Sequence, residues 1–167
     1  DDQGVIVRTT ASGALDTTFS GDGIRLIDSF KPARVVDVTA LPKGKILVLL
    51  NDPSAILLRL KPGGALDTTF GDNGSVRPPV AMKGRAFTRD GSRILMVGTT
   101  GNDTLVVARF LADGTPDTTL QNGDAVVLIS DHENIGPLLF VDDVAVDALH
   151  HVVLAASPND NRGLFRL

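Results

Sequence analysis

The sequence predicts an all-β fold assembled from repeated units of about fifty residues. One block, Ala14–Phe19, recurs as Ala65–Phe70 and, with changes, as Thr115–Leu120. Between these blocks lie short runs of aliphatic and β-branched residues separated by Gly, Pro, Asn and Asp, a pattern typical of strands and turns. No segment has a sustained apolar period of about 3.6 residues, which disfavours helical repeats of similar length.

Four strands are expected in the first unit. They are Gly23–Ile27, Arg34–Leu41, Lys45–Leu50 and Ala55–Leu60. The third of these runs is apolar at every position from Ile46 to Leu50, as expected for a strand that is covered on both faces. In the fourth strand, Ile56 and Leu58 share one face and Arg59 lies on the other, because side chains alternate along a strand.

The later units repeat this pattern. The second unit has strands at Gly74–Arg77, Arg93–Val97 and Thr104–Phe110 with a hairpin turn at Arg89–Gly91, and the third has strands at Asp124–Ile129, Val144–Val146, Val152–Ala156 and Gly163–Leu167. Phe19, Phe70 and Phe110 fall within the repeat pattern at apolar positions, which predicts a place in the core. A four-stranded unit of this length suits a β-propeller blade, since propeller repeats run ~40–50 residues.

We expect one repeat domain over residues 1–167, with units at approximately 10–60, 61–110 and 111–167. Residues 1–9 add an extra strand of the fourth type, Val5–Arg8, and Arg166 marks the last such strand, so fourth strands outnumber the others. Three blades are also fewer than the minimum of about four in known propellers. The expectation is an incomplete ring, or one assembled from several chains, in which other copies or neighbouring repeats are the partners and edge strands join them.

An arginine precedes each repeated block at a constant distance. The three pairs, each eight residues apart, are Arg8 and Asp16, Arg59 and Asp67, and Arg109 and Asp117. An arginine on the face away from the core and an aspartate just beyond its strand can form a bidentate pair that joins blade to blade. A row of arginines can also bind an anionic ligand, but the equal spacing favours structural pairs.

The loop that contains each block has two interpretations. Aspartate followed by two threonines can bond its own backbone in Asx or ST turns, and the neighbouring glycines supply positive φ. Alternatively, Asp22, Asp72 and Asp124 are calcium ligands. Calcium takes about six to eight oxygens and each loop has few carboxylates, so we predict structural turns and no cofactor, with calcium as the alternative.

The one loop that departs from the repeat pattern, residues 131–137, is where a specific ligand would bind. The candidate ligand-binding residues are Asp131, His132, Glu133, Asn134 and His150. Loops on a rigid scaffold often carry function, so a small-ligand or zinc site here is the alternative to a plain surface hairpin. Hydrolase, phosphate-binding and nucleotide-binding motifs are absent from the sequence, and the prediction is a protein that is not an enzyme.

Composition excludes several classes of function. A net charge of -4 argues against a nucleic-acid binder, which needs a basic face. No apolar run approaches the roughly 18 residues of a membrane span. The absence of cysteine excludes disulfides and thiol chemistry, and the absence of Trp and Tyr removes the rings that carbohydrate and peptide sites favour. Residues 1–3 lack the pattern of a signal peptide, so we expect a processed end.

The segment Leu66–Gly74, together with the strand and turn at Ala108–Gly114, resembles the delta-sixty repeat, a bacterial repeat of about fifty-five residues. The resemblance is strong at Leu57–Gly74 and Val106–Thr119, and weak from Gln121 to Asn134, and Leu120 departs from the phenylalanine of the motif. It implies propeller-like sheets in tandem arrays of exported proteins, with no catalytic residues. We therefore expect a non-enzymatic structural or interaction module of a secreted or cell-surface bacterial protein.

Overall fold

The computed structural model describes residues 3–31, 33–101, 104–129 and 138–158. Within these ranges the chain forms strands and one short 3-10 turn at Pro42–Gly44. The strands are β1 (Gly4–Val7), β2 (Ile24–Ile27), β3 (Arg34–Ala40), β4 (Ile46–Asp52), β5 (Ser54–Leu60), β6 (Ser75–Val76), β7 (Lys83–Asp90), β8 (Arg93–Thr99), β9 (Leu105–Phe110), β10 (Val126–Ile129), β11 (Leu138–Val146) and β12 (Val152–Pro158). The predicted all-β class is confirmed. Over the described ranges, no helix has the length and apolar character needed to span a bilayer.

Four types of strand recur along the chain. Leading strands are β3, β7 and β11; inner strands are β4, β8 and β12; arginine strands, which contain or directly precede the repeated arginine, are β1, β5 and β9; trailing strands are β2, β6 and β10. Two sheets contain all four types in the order leading, inner, arginine, trailing, and every pairing in them is antiparallel. Two further sheets are partial within the described residues: β1 pairs with β2, and β11 pairs with β12. This arrangement agrees with incomplete propeller blades.

The chain divides into two compact units, of which unit 1 spans Asp1–Val76 and contains β1–β6. The core of unit 1 joins its two sheets, because Ile6 of β1 and Ile27 of β2 cluster with Val48 of β4 and Leu58 of β5. Phe19, from the loop between β1 and β2, is fully buried in the same cluster. The partial β1–β2 sheet therefore packs its Ile6 face onto one face of the four-stranded sheet.

The inner strand β4 is buried on both faces, as its uninterrupted apolar run predicts. All four residues from Leu47 to Leu50 have no solvent exposure. Phe70 and Phe110, predicted as core residues together with Phe19, are likewise fully buried. Fully burying a large aliphatic side chain stabilises the fold by roughly 1.5–3 kcal/mol, so such strands are the main source of stability in a small all-β unit.

Unit 2 spans Arg77–Leu167 and contains β7–β12. Its core places Leu95 and Val97 of β8 against Val144 of β11, with Leu154 of β12 packed beside them. The leading strands β7 and β11 each have a β-bulge, and β3 of unit 1 has one at the same position. Opposite the bulge of β7, a Cβ on Gly98 would lie 2.1 Å from the Lys83 carbonyl oxygen, so only glycine fits there.

The sheets are offset by one strand from the sequence units. Each trailing strand follows an Asp-Thr-Thr block in the sequence, yet it pairs with the arginine strand that precedes the block. The block reverses the chain, which brings the two strands together in an antiparallel pair. The leading strand β7, for which the sequence pattern indicated no bounds, spans Lys83–Asp90, and the strand predicted at Gly163–Leu167 lies outside the described residues.

Candidate functional site

The repeated blocks form tight loops that bring each aspartate into contact with the arginine of the preceding strand. In the second repeat the Asp67 N–H donates to the Arg59 carbonyl oxygen at 2.8 Å, and the Phe70 N–H donates to the Asp67 carbonyl oxygen at 2.9 Å. The Gly74 N–H then donates to the Phe70 carbonyl oxygen at 2.8 Å, with Gly74 at a φ of 97° that favours glycine. All three backbone bonds recur in the first repeat. The third repeat keeps the first two, but there the Asp124 N–H donates to the Gln121 carbonyl oxygen at 2.7 Å, so the end of its loop differs.

Each loop holds a cluster of arginine, aspartate and threonine, which we call the RDT cluster. In the second repeat Arg59 Nε donates to Asp67 Oδ2 at 2.7 Å, and Arg59 Nη2 donates to Thr69 Oγ1 at 3.0 Å. The Thr69 hydroxyl in turn donates to Asp67 Oδ1 at 2.7 Å. The guanidinium carbon lies 4.6 Å from the centroid of the Phe70 ring. Charge-assisted hydrogen bonds and the cation–π contact hold these four side chains together.

The same cluster forms around the other two predicted pairs. Arg8 Nε donates to Asp16 Oδ2 at 2.8 Å, and Arg109 Nε lies 2.8 Å from Asp117 Oδ2. Arg8 Nη2 donates to Thr18 Oγ1 at 2.9 Å, and Arg109 Nη2 donates to Thr119 Oγ1 at 2.9 Å. The structure therefore brings each predicted arginine onto its aspartate, and the second guanidinium nitrogen contacts the threonine.

A second cation joins two of the three clusters. Lys45 Nζ lies 2.7 Å from Asp67 Oδ2, and Arg93 Nε donates to Asp117 Oδ2 at 2.8 Å. Both cations directly precede or begin an inner strand, which runs beside the arginine strand. The Asp67 and Asp117 side chains are only 3% exposed, whereas that of Asp16 is 24% exposed. Asp16 has Arg8 beside it, and no inner strand pairs with β1 within the described residues.

These contacts lower the pKa of each aspartate. The Thr119 hydroxyl, followed by the Thr119 N–H and the Arg109 and Arg93 guanidinium groups, lowers the pKa of Asp117 to about 2. Burial alone would raise the pKa of Asp67, but hydrogen bonds from Lys45 and Thr69 and the charge of Arg59 hold it well below its usual range. The three carboxylates are therefore ionised at neutral pH and act as fixed anions rather than as proton donors.

In unit 1 the first RDT cluster also contacts the next repeat. Arg8 Nη1 donates to the Pro62 carbonyl oxygen, and the Ser20 N–H donates to the Gly63 carbonyl oxygen at 3.1 Å. Gly64 fits against the Phe19 ring, where a Cβ would approach within 3.1 Å of the ring carbon Cε2. The first cluster thus joins one repeat to the next by hydrogen bonds and packing.

The residues considered for calcium lie in separate turns. Asp22 Oδ1 accepts a hydrogen bond from the Ile24 N–H at 2.9 Å, and Asp72 Oδ1 accepts one from Asn73 Nδ2 at 2.9 Å. Asp124 is exposed in the turn before β10. Among the described residues, no three His, Asp or Glu side chains come together in a way that could hold a metal ion.

Of the residues considered for ligand or zinc binding, only His150 is described; Asp131, His132, Glu133 and Asn134 lie outside the described residues. His150 has a φ of 65°, at the position where the first hairpin has Gly44, and its Nδ1 lies 2.6 Å from Asp90 Oδ1. His151 Nδ1 lies 2.8 Å from Asp147 Oδ2, and the His151 N–H and ring lower the pKa of Asp147. The adjacent histidines therefore bond to different aspartates.

Sequence reasoning missed the second cation and the threonine. The threonine was visible in every block as the second residue after the aspartate. The second cation was hidden because Lys45 precedes Arg59 by 14 residues, whereas Arg93 precedes Arg109 by 16, so the spacing is unequal. The usable signal was instead the basic residue in front of each inner apolar run.

Comparison with known proteins supports a propeller-type repeat. The family model that matches is described as a domain of unknown function (DUF5122) beta-propeller, and it matches residues 89–120. These residues contain β8, β9 and the third Asp-Thr-Thr block. No curated protein and no solved structure gives a significant match. Together with the four-stranded antiparallel sheets, the family match indicates a β-propeller domain.

Proposed function

We propose that the chain is a non-enzymatic structural and interaction module that assembles with other copies or neighbouring repeats through its edge strands. We also propose that it belongs to an exported or cell-surface bacterial protein of the delta-sixty repeat type. The resemblance of Leu66–Gly74 to that repeat supports this second part, since such repeats occur in arrays of exported proteins.

The observation that carries the assembly proposal is the exposure of β1. Val5 and Val7 are 46% and 55% exposed, whereas the residues at the same positions of β5, Ile56 and Leu58, are completely buried. Within the described residues β1 pairs with β2 alone, so one edge of β1 offers free backbone N–H and C=O groups. An apolar strand with an open edge is the surface that β-augmentation uses.

The charged groups of the repeat support a structural rather than a catalytic role. Within each RDT cluster the arginine pairs with the aspartate, and the aspartates of two clusters are almost fully buried. General acid–base catalysis needs a group whose pKa is near the working pH, whereas Asp67 and Asp117 have pKa values far below it. Ion pairs of this kind, formed within the fold, are typical of a structural role.

Size-exclusion chromatography with light scattering over a hundredfold range of concentration tests the proposal. We expect a mass above that of one chain at the highest concentration. Val7→Glu should shift the distribution towards the monomer, because it places a charge on the exposed apolar strand. Arg34→Glu, at an exposed site on β3, is the matched control and should leave the distribution nearly unchanged. A monomer at all concentrations would refute assembly.

A further inference from the structure

The two partial sheets are complementary in the strands that they contain. The β1–β2 sheet has an arginine strand and a trailing strand, and the β11–β12 sheet has a leading strand and an inner strand within the described residues. One β1–β2 sheet and one β11–β12 sheet together contain all four strand types found in each complete sheet. The register of the complete sheets also defines how they would join, since β4 pairs with β5 antiparallel with Leu50 opposite Ile56.

An apolar groove lies beside β1 where an inner strand would fit. It has a volume of about 470 Å³ and is lined by Ile6 of β1, Val38 and Ala40 of β3, and Ile46 of β4. Val38 is 50% exposed, whereas Phe87, at the same position of β7, is buried. The groove therefore has room for apolar side chains from a strand placed beside β1.

The inner strand β12 has the side chains that this groove needs. Val153 is 51% exposed and Ala155 is exposed on the same face, whereas the equivalent residues of β4, Leu47 and Leu49, are fully buried. The other face of β12, with Leu154, already packs on the core of unit 2. The exposed face of β12 is thus free, within the described part of the chain, to cover a second apolar surface.

A hydrogen-bond donor and an acceptor also match at the same register. His151 precedes β12 at the position that Lys45 and Arg93 occupy in the complete sheets, where each cation contacts the aspartate of the RDT cluster. In the β1–β2 sheet the corresponding aspartate is Asp16, which is partly exposed. An imidazole N–H from His151 can donate to that carboxylate.

We propose that the β11–β12 hairpin of a second copy of this chain completes the β1–β2 sheet, with β12 antiparallel to β1. Ala156 of one copy then lies opposite Val5 of the other, and His151 faces Asp16. The exposed face of β12 fills the groove beside β1. This inference rests on the proposed assembly and specifies its partner surface and register. Copies join head to tail, in a closed ring or an open series.

Disulfide trapping tests the register, and the absence of native cysteine makes the readout clean. Two single-cysteine variants, Val5→Cys and Ala156→Cys, are mixed and oxidised mildly, and the mixed dimer is identified by mass spectrometry. The matched control replaces Ala156→Cys by Ala155→Cys, whose side chain points to the opposite face of the strand. We expect at least tenfold more mixed dimer from the first mixture. Equal yields, or no dimer from either, would overturn the proposal.

The double variant Val5→Cys with Ala156→Cys distinguishes a second copy from closure within one chain. Disulfide-linked oligomers support the proposal, and a disulfide-bonded monomer overturns it. Light scattering on the unmodified chain separates this failure from failure of the assembly proposal. Oligomers without the Val5–Ala156 disulfide mean that assembly uses another surface, and a monomer at every concentration removes both.

A charge variant gives an independent readout. His151→Arg restores the type of cation found at Arg93 and should strengthen association about five- to tenfold. The same substitution in an Asp16→Asn background should have little effect, since the carboxylate that it would contact is gone. An equal gain in both backgrounds would contradict the placement of residue 151 beside Asp16.

Discussion

Replacing Asp67 by asparagine should be among the most damaging single polar substitutions in unit 1. Asp67 accepts hydrogen bonds from Arg59 and Thr69 and lies 2.7 Å from Lys45 Nζ, with its side chain only 3% exposed. Asparagine has nearly the same size, so no cavity forms and the effect reports the lost charge. The substitution removes the carboxylate charge that lies against the Arg59 guanidinium, whose side chain is 10% exposed.

The expected loss is about 3 kcal/mol in the free energy of unfolding. Breaking a buried ion pair by removing one partner costs roughly 3–5 kcal/mol. We place the effect at the lower end because the Lys45 side chain is 35% exposed and can turn towards water. For a unit of this size, with an m-value of about 1 kcal/mol/M in urea, the transition midpoint should fall by about 3 M.

Asp16→Asn is the matched control for this measurement. It makes the same chemical change in the equivalent loop of the first repeat, but Asp16 is more exposed and, among the described residues, Arg8 is the cation paired with it. Urea unfolding of both variants, followed by circular dichroism, should show a clearly larger loss for Asp67→Asn. Equal losses, or a change of less than about 0.5 kcal/mol for Asp67→Asn, would refute the idea that burial and the second cation determine the strength of an RDT cluster.

Three further predictions concern single features of the fold. Because its pKa is lowered to about 2, Asp117 contributes stability above about pH 4 that is lost as the pH falls towards 2. In thermal melts, acid should therefore lower the melting temperature of Asp117→Asn less than that of the unchanged protein. An equal fall in both proteins would count against this. Phe70→Ala should cost about 3–5 kcal/mol in urea unfolding, since the ring is fully buried and covers Arg59; a loss below about 1 kcal/mol would contradict that packing. Gly98→Ala should lower the free energy of unfolding by more than about 2 kcal/mol, because its Cβ would collide with the Lys83 carbonyl. Gly101→Ala, with open space around the new Cβ, should change it by less than about 0.5 kcal/mol. Similar values for the two variants would argue against the close approach at Gly98.

The local parts of the RDT cluster could be predicted from the sequence, and the distant part could not. Arg59 and Asp67 are eight residues apart on a strand and the loop that follows it, so their equal spacing in three repeats indicated a contact. Lys45 reaches the same carboxylate from a different strand, and only the pairing of β4 with β5 brings it there. The distances along the chain differ between repeats because the connections between inner and arginine strands differ in length.

Local periodicity and turn chemistry were enough to predict the all-β class, the repeat and the buried inner strand from the sequence. The tertiary structure decided which strands share a sheet, since antiparallel pairing across the Asp-Thr-Thr loop joins an arginine strand to the trailing strand of the next sequence unit. It also decided which apolar residues stay exposed. Val5 and Leu58 are both aliphatic residues of arginine strands, and only their neighbours in space make one half-exposed and the other buried.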